Sequence, residues 1–281
     1  MTVLSLTRNP DGALTFHNEI PLGDNFGRYI ITDPADANSF GRVFRRGTQI
    51  RDGKAGSEVS ILGNMAKGPK CGWKLEKAAA KEGFLRIAGC DEVGRGPMFG
   101  PVVAAAVIFP PGCRLTGLND SKQLCANKRN ELDAVIRAKA LAFAIAAVDV
   151  ETIDRINIRR ASLLAMRVAV EQLSLQPDFL LIDGCDTIDW ACPQQSVVQG
   201  DGTSYSIAAA SVLAKVHRDR LLVELDAVYP GYGLARHKGY CSREHLAALD
   251  KLGPTPLHRK NWSPVAQIML EFSDELELVI D

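Results

Sequence analysis

Four acidic residues stand where chemistry would want them. Asp91 and Glu92 are neighbours just ahead of the glycine-rich stretch Gly94-Arg95-Gly96-Pro97. Asp183 closes the apolar run Phe179–Ile182 and is followed by Gly184, and Asp201 follows Gly200. One Asp-Gly or Gly-Asp pair alone reads as a turn. Four carboxylates at strand ends beside glycines read differently, because they are held on rigid elements yet left open to a substrate. Carboxylate oxygens suit hard divalent ions such as Mg²⁺ and Mn²⁺, which keep positions open for phosphate and water. Two such ions about 3.5–4 Å apart stabilise both the attacking and the leaving oxygen of a phosphodiester.

Other polar groups are given smaller parts. Asp219, in Arg218-Asp219-Arg220, is expected to form local ion pairs. Asp120, in Asn119-Asp120-Ser121, is expected to make a turn or a helix cap. His237 and His258 are read as positioning or phosphate-facing groups, since two ions activate the attacking water without a histidine base. Cys90 is read as a small apolar residue.

The elements that must position these groups are strands and helices in mixed order. Phe84–Cys90 predicts a strand with Asp91 and Glu92 at its end, and Val102–Phe109 a second, close enough for an antiparallel pair. A helix over Lys128–Ala140, a strand over Ala140–Val148 and a helix over Asn157–Leu173 follow. Phe179–Ile182 and Ser196–Gln199 are short strands running into Asp183 and Asp201. Ser204–Val228 is a long helix whose first half is apolar all round and so expected to be buried, and Ser242–Leu252 is another helix. The order predicts a mixed α/β sheet flanked by helices.

Residues 1–72 differ in character, with Gly, Asp, Asn and Arg in place of long apolar runs. They predict an N-terminal extension, either loosely ordered or an accessory nucleic-acid-binding segment, ahead of a catalytic body over 73–281 that ends in helices. Trp73–Glu82 predicts a short helix leading into that body. The formal net charge is zero. The first 83 residues carry 12 Lys and Arg against 9 Asp and Glu, the remainder 21 against 24. A slightly acidic body argues against a sequence-independent nucleic-acid binder working through Lys and Arg alone, and agrees with carboxylates gathered around metal ions. Seven scattered cysteines without a Cys-x-x-Cys pattern fit reduced thiols. With no leader-like start and no long apolar run, a cytoplasmic location is expected.

At this point a resemblance becomes specific. Ile87–Val107 (IAGCDEVGRGPMFGPVVAAAV), Gly117–Leu124 (GLNDSKQL) and Pro177–Gly184 (PDFLLIDG) resemble successive blocks of the ribonuclease HII (type 2 ribonuclease H) family. Gly200-Asp201, Ile207–Asp219, Tyr229–Tyr240 (YPGYGLARHKGY) and His258-Arg259-Lys260 follow in the family's order. The resemblance covers about residues 84–265. It implies a ribonuclease H-like fold and an endonuclease that cuts RNA paired to DNA and ribonucleotides embedded in DNA. It implies that Asp91, Glu92, Asp183 and Asp201 bind two Mg²⁺ or Mn²⁺ ions and carry catalysis. It also implies that Gly94-Arg95-Gly96 reads a ribose 2′-hydroxyl, that Tyr240 stacks on the neighbouring sugar, and that Lys122 and Lys238 face phosphates. Met98-Phe99 departs from the usual smaller apolar pair and, with the extension, is more like the sister type 3 enzymes. Gln267–Phe272 (QIMLEF) lacks the paired aromatics of a sliding-clamp peptide and is read as an ordinary amphipathic end.

Overall fold

Val102–Ile108 contains no polar side chain, and all seven residues are buried, which marks a strand covered on both faces. The computed structural model describes residues 71–118 and 124–277, with side chains to 270, and three short strands before them. The strands are β1 (Leu6–Arg8), β2 (Leu14–Phe16), β3 (Tyr29–Thr32), β4 (Ile87–Val93), β5 (Val102–Ile108), β6 (Ala142–Val148), β7 (Phe179–Asp183) and β8 (Gln194–Val197). The helices are α1 (Lys74–Lys81), α2 (Ala126–Lys139), α3 (Val150–Ile156), α4 (Ile158–Glu171), α5 (Tyr205–Val228), α6 (Leu234–His237), α7 (Arg243–Leu252) and α8 (Ser263–Glu277).

The main sheet has the order β3-β6-β5-β4-β7-β8. β4, β5 and β6 pair antiparallel, whereas β7 joins β4, and β8 joins β7, in parallel. β3 lies antiparallel against β6 at the outer edge. Alternate residues of the central strands feed two cores. Ala88, Cys90, Ala104 and Ala106 face α4, and Val103, Ala105 and Val107 face α5. The sheet is therefore mixed and sandwiched between helices, as expected.

Several boundaries move. β4 begins three residues later than expected and runs through Asp91, Glu92 and Val93, so the two carboxylates lie within the strand. β8 ends at Val197, and Gln199 turns the chain with φ 58° ahead of the one-turn 3₁₀ helix Gly200–Gly202. The helix expected over Asn157–Leu173 is preceded by another, α3. Asn157, at φ 68°, ends α3 and caps α4 by accepting from the Arg159 and Arg160 N–H groups. Cys71 and Gly72 belong with the body, because the Gly72 N–H donates to Thr203 O and Gly72 O accepts from the Tyr205 N–H. Apart from β1, β2 and β3, the rest of the extension lies outside the described residues, as do Asp120 and Lys122. No helix among the described residues is long and apolar enough to cross a membrane.

The contact that sets the fold's depth is between β4 and the start of α5. A Cβ added to Gly89 would stand 2.2 Å from the Ser206 carbonyl carbon and 2.3 Å from the Ile207 nitrogen. Both are backbone atoms, so Gly89→Ala must push the helix off the sheet. Overpacking of this kind costs about 1–3 kcal/mol, and the upper end corresponds to a melting midpoint lower by roughly 6–12 °C. Gly202→Ala, where a Cβ meets nothing within 4 Å, is expected to melt near the parent value. Equal midpoints for the two variants in a thermal unfolding experiment would contradict the close approach.

Candidate active site

β4 and β7 run parallel with Cys90 opposite Ile182. The next residues are Asp91 and Asp183, so two carboxylates leave adjacent strands at one level. Because Cys90 and Ile182 face α4, strand alternation turns Asp91 and Asp183 to the α5 side. Asp201 arrives from that same side on the 3₁₀ turn before α5. The Gly200 N–H donates to Asp183 Oδ1 at 2.7 Å, and the Asp201 N–H reaches the same oxygen at 3.4 Å. Glu92 starts from the opposite face of β4 and accepts from Arg95 Nη1 at 2.9 Å. Asp91 and Asp201 are only 1% and 3% exposed.

Burial first, and then the charge of Asp91, push the Glu92 carboxyl above the usual carboxylate range, while Arg95 pulls it down. Carboxylates crowded in this way want a cation between them, and an all-oxygen donor set suits a hard divalent one. The residues thus fit such an ion by chemistry and by placement. No three acidic, histidine or cysteine side chains among the described residues already converge at ligand distance. Asp183 Oδ1 accepts from the Gly200 amide, and Glu92 Oε1 from Arg95.

Beside the carboxylates lies the turn Gly94-Arg95-Gly96, and two buried arginines shape it. Arg259 sends Nη2 to Gly94 O at 2.5 Å and Nη1 to Arg95 O at 3.1 Å, and reaches Gly100 O from Nε at 3.0 Å. Arg218, on α5, donates to the carbonyls of Phe99, Pro101 and Lys238. Gly94 has φ 86°, and a Cβ there would lie 2.4 Å from Arg218 Nε, so only glycine fits. The same arginine therefore ties the turn to the segment carrying Lys238 and Tyr240. The Met98 N–H donates to Gly239 O, closing the link.

Tyr240, half-buried, is held by a chain of histidines. The Thr255 N–H donates to His258 Nδ1 at 2.9 Å, which leaves the proton of that ring on Nε2. His258 Nε2 meets His245 Nε2 at 3.2 Å, and His245 Nδ1 meets Tyr240 O at 3.0 Å. A single set of tautomers satisfies the chain, with each ring neutral and donating toward Tyr240. His258 is 1% exposed and so is a positioning group that cannot face phosphate. His237 donates from Nε2 to Tyr232 O and stacks on His245 at 4.4 Å.

Asp219 pairs with Lys215 and Arg129. Burial pushes the Cys90 thiol far up, away from any nucleophilic part. Lys238 Nζ donates to Ala235 O at 2.5 Å from the loop that carries Tyr240. Met98 and Phe99 are fully buried, with Phe99 edge-on to the His258 ring at 4.9 Å, so this pair is scaffold beneath the site. Sequence reasoning gave no role to Arg218, Arg259 or His245. A signal existed for Arg218, which continues the buried stripe Ile207, Ser211, Ala214 at helical spacing. Arg259 lies in a turn and His245 is lone, so neither has a periodic signal.

The fold and site define an α/β nuclease of the ribonuclease H-like class, built around carboxylates that suit divalent ions. The family model for ribonuclease HII matches residues 88–265. The ribonuclease HII of Geobacter sp. (strain M21) is 58% identical over 193 residues, covering 69% of this chain and 84% of that protein. The crystal structure of ribonuclease H2 from Pyrococcus horikoshii OT3 is similar with a TM-score of 0.59 at 24% identity, over 67% of this chain and 99% of that one. Bst-RNase HIII, solved in complex with Mn²⁺, is similar with a TM-score of 0.56 at 20% identity, over 69% of this chain and 72% of that one. The chain belongs to the ribonuclease HII family. It is accordingly an endoribonuclease that acts on RNA paired to DNA, in a family that depends on divalent metal.

The histidine chain has a pH signature. Burial lowers His245 to about 4 and His258 to about 3, against about 6.5 for an unfolded histidine. Stability is then intact above pH 6.5 and is lost as pH falls, because the unfolded state takes up the protons first. The melting midpoint is expected to drop progressively between about pH 6.5 and pH 4. Replacing both rings (His245→Gln with His258→Gln) should make that slope shallower. An equally steep slope in the double variant, followed by circular dichroism, would assign the acid sensitivity elsewhere.

Proposed function

We propose that this enzyme hydrolyses the RNA strand of RNA-DNA hybrids and incises 5′ of ribonucleotides embedded in duplex DNA, leaving 3′-hydroxyl and 5′-phosphate ends. The observation that carries the reading is the shared level of Asp91 and Asp183 on parallel strands, with the Asp201 turn hydrogen-bonded to Asp183. Asp91, Glu92, Asp183 and Asp201 would hold two ions, Mg²⁺ or Mn²⁺. When bound, such ions supply activation of water and stabilisation of charge on the phosphodiester oxygens. The chain's own contribution is position. The Asp183–Gly200 hydrogen bond fixes the third carboxylate segment against the second.

Recognition falls to the neighbouring turn. Arg259 draws the carbonyls of Gly94, Arg95 and Gly100 inward, while Gly96 stays exposed. The turn thereby offers its outer edge to a ribose, whose 2′-hydroxyl distinguishes RNA from DNA. Tyr240 stacks on the adjacent sugar, and Lys238 and Lys122 face phosphates. Scattered thiols and the family's chemistry fit work in the cytoplasm.

Asp91→Asn and Asp183→Asn keep the shape of the side chain and remove its charge. Each is expected to abolish cleavage of a duplex holding one ribonucleotide, with Mg²⁺ or Mn²⁺ supplied and EDTA as control, while circular dichroism stays native. Near-normal turnover in either variant would remove that residue from the metal site. Asp201→Asn should be severe but milder, since water can partly replace one ligand of four.

Tyr240→Ala tests junction reading. Stacking on a base is worth about 1–3 kcal/mol, and stacking on a sugar lies at or below the low end, roughly a fivefold effect. The loss should be larger on a lone embedded ribonucleotide than on a long hybrid, where many registers are productive. Equal losses at one salt concentration would give Tyr240 a general binding or structural part instead.

A further inference from the structure

Glu76 is a carboxylate on α1 buried to 7% exposure. It lies outside the residues 88–265 matched by the family model. Its Oε1 accepts three hydrogen bonds: from Ser204 Oγ at 2.6 Å, Ser206 Oγ at 2.6 Å and the Ser206 N–H at 2.9 Å. These residues form the cap and first turn of α5, three and five positions beyond Asp201. The segment before α1 adds a second hold. The Gly72 N–H donates to Thr203 O, Gly72 O accepts from the Tyr205 N–H, and Cys71 Sγ lies 3.9 Å from Asp201 O. Trp73 packs edge-on against Tyr205 at 5.1 Å. The six residues 71–76 thus run beside the Asp201 turn from its carbonyl to the first turn of the helix.

This is an expensive way to build stability alone. A buried carboxylate pays for desolvation, and Oε2 of Glu76 is buried without a hydrogen-bond partner among the described residues. An apolar side chain of that size would pack α1 on α5 without the penalty. What the carboxylate adds is direction, since one charged oxygen pins two hydroxyls and an amide to one point.

We propose that Glu76 is a positioning residue for Asp201, holding the start of α5 so that this carboxylate stays in register with Asp183 and Asp91. The proposal rests on Asp201 being a metal ligand. Outer partners of metal-ligating groups typically contribute about 10–100-fold in metal affinity. Glu76 acts through a short stretch of backbone, so the effect belongs at about tenfold.

The test uses the full chain without substrate, titrated with Mn²⁺ and followed by electron paramagnetic resonance of the free ion. Glu76→Ala should weaken Mn²⁺ binding about tenfold and raise the Mn²⁺ needed for half-maximal cleavage in parallel, leaving KM for hybrid unchanged. Glu76→Gln retains an acceptor at Oε1 and should recover most of the affinity. Val265→Ala, a core truncation on the buried face of α8, should lower the melting midpoint without moving Mn²⁺ affinity. Ser206→Ala removes one of the three hydrogen bonds and should shift affinity the same way by less, which keeps the test open if Glu76→Ala folds poorly. Parent-like Mn²⁺ affinity in Glu76→Ala or, should that variant not fold, in Ser206→Ala overturns the proposal. Asp201→Asn is titrated alongside. If it too binds Mn²⁺ like the parent, the ligand reading of Asp201 is what fails.

Discussion

Everything at the catalytic end depends on how closely α5 can approach β4. At Gly89 the helix backbone rests where a side chain would otherwise be, with less than 2.5 Å to spare for a Cβ. Real Cβ atoms do not approach backbone that closely, so the glycine sets the distance between sheet and helix. The 3₁₀ turn bearing Asp201 leads into the helix through Thr203 and Ser204 and arrives at the strand ends because the helix does. Parallel pairing of β4 with β7 supplies Asp91 and Asp183 at one level.

The recognition side is built on a different principle. Its turn and its tyrosine lie in irregular chain, where no sheet ladder fixes the backbone. Buried side chains replace the ladder: Arg218 and Arg259 collect carbonyl oxygens, and the His258–His245 pair ends on the carbonyl of Tyr240. Polar groups with all partners met inside a core specify one conformation more sharply than apolar packing does. The cost is a site whose supports sit remote in sequence, at 218, 245, 258 and 259, from the turn at 94–96.

That distance explains what the sequence reveals. The strands and long helices are legible because their apolar residues repeat at two or 3.6 positions, and the carboxylates stand out beside glycines at strand ends. The sheet face that each carboxylate takes follows only once β4 is seen to run through Val93. α3 escaped because Val150–Ile156 is short and separated from α4 by one residue, Asn157, with positive φ. Phe99 read as a departure from the family pattern and is a packing partner of His258, which no linear spacing reveals. Glu76 was legible as part of a helix but not as a brace, since its partners lie about 130 positions away.

The two buried arginines have an electrostatic consequence as well. The chain is neutral overall, yet Arg218 and Arg259 place two guanidinium groups under the recognition loops, hydrogen-bonded among the described residues to carbonyl oxygens. Surface lysines and arginines attract a polyanion chiefly by displacing its counterions, and salt erodes that attraction. Charges beneath the surface are screened less by mobile ions and act through a medium of lower dielectric. Asp219 near Arg218 and Asp154 near Arg259 favour those charges against the pull of burial, so the recognition loops rest on cations whose balance with their surroundings mobile salt reaches little.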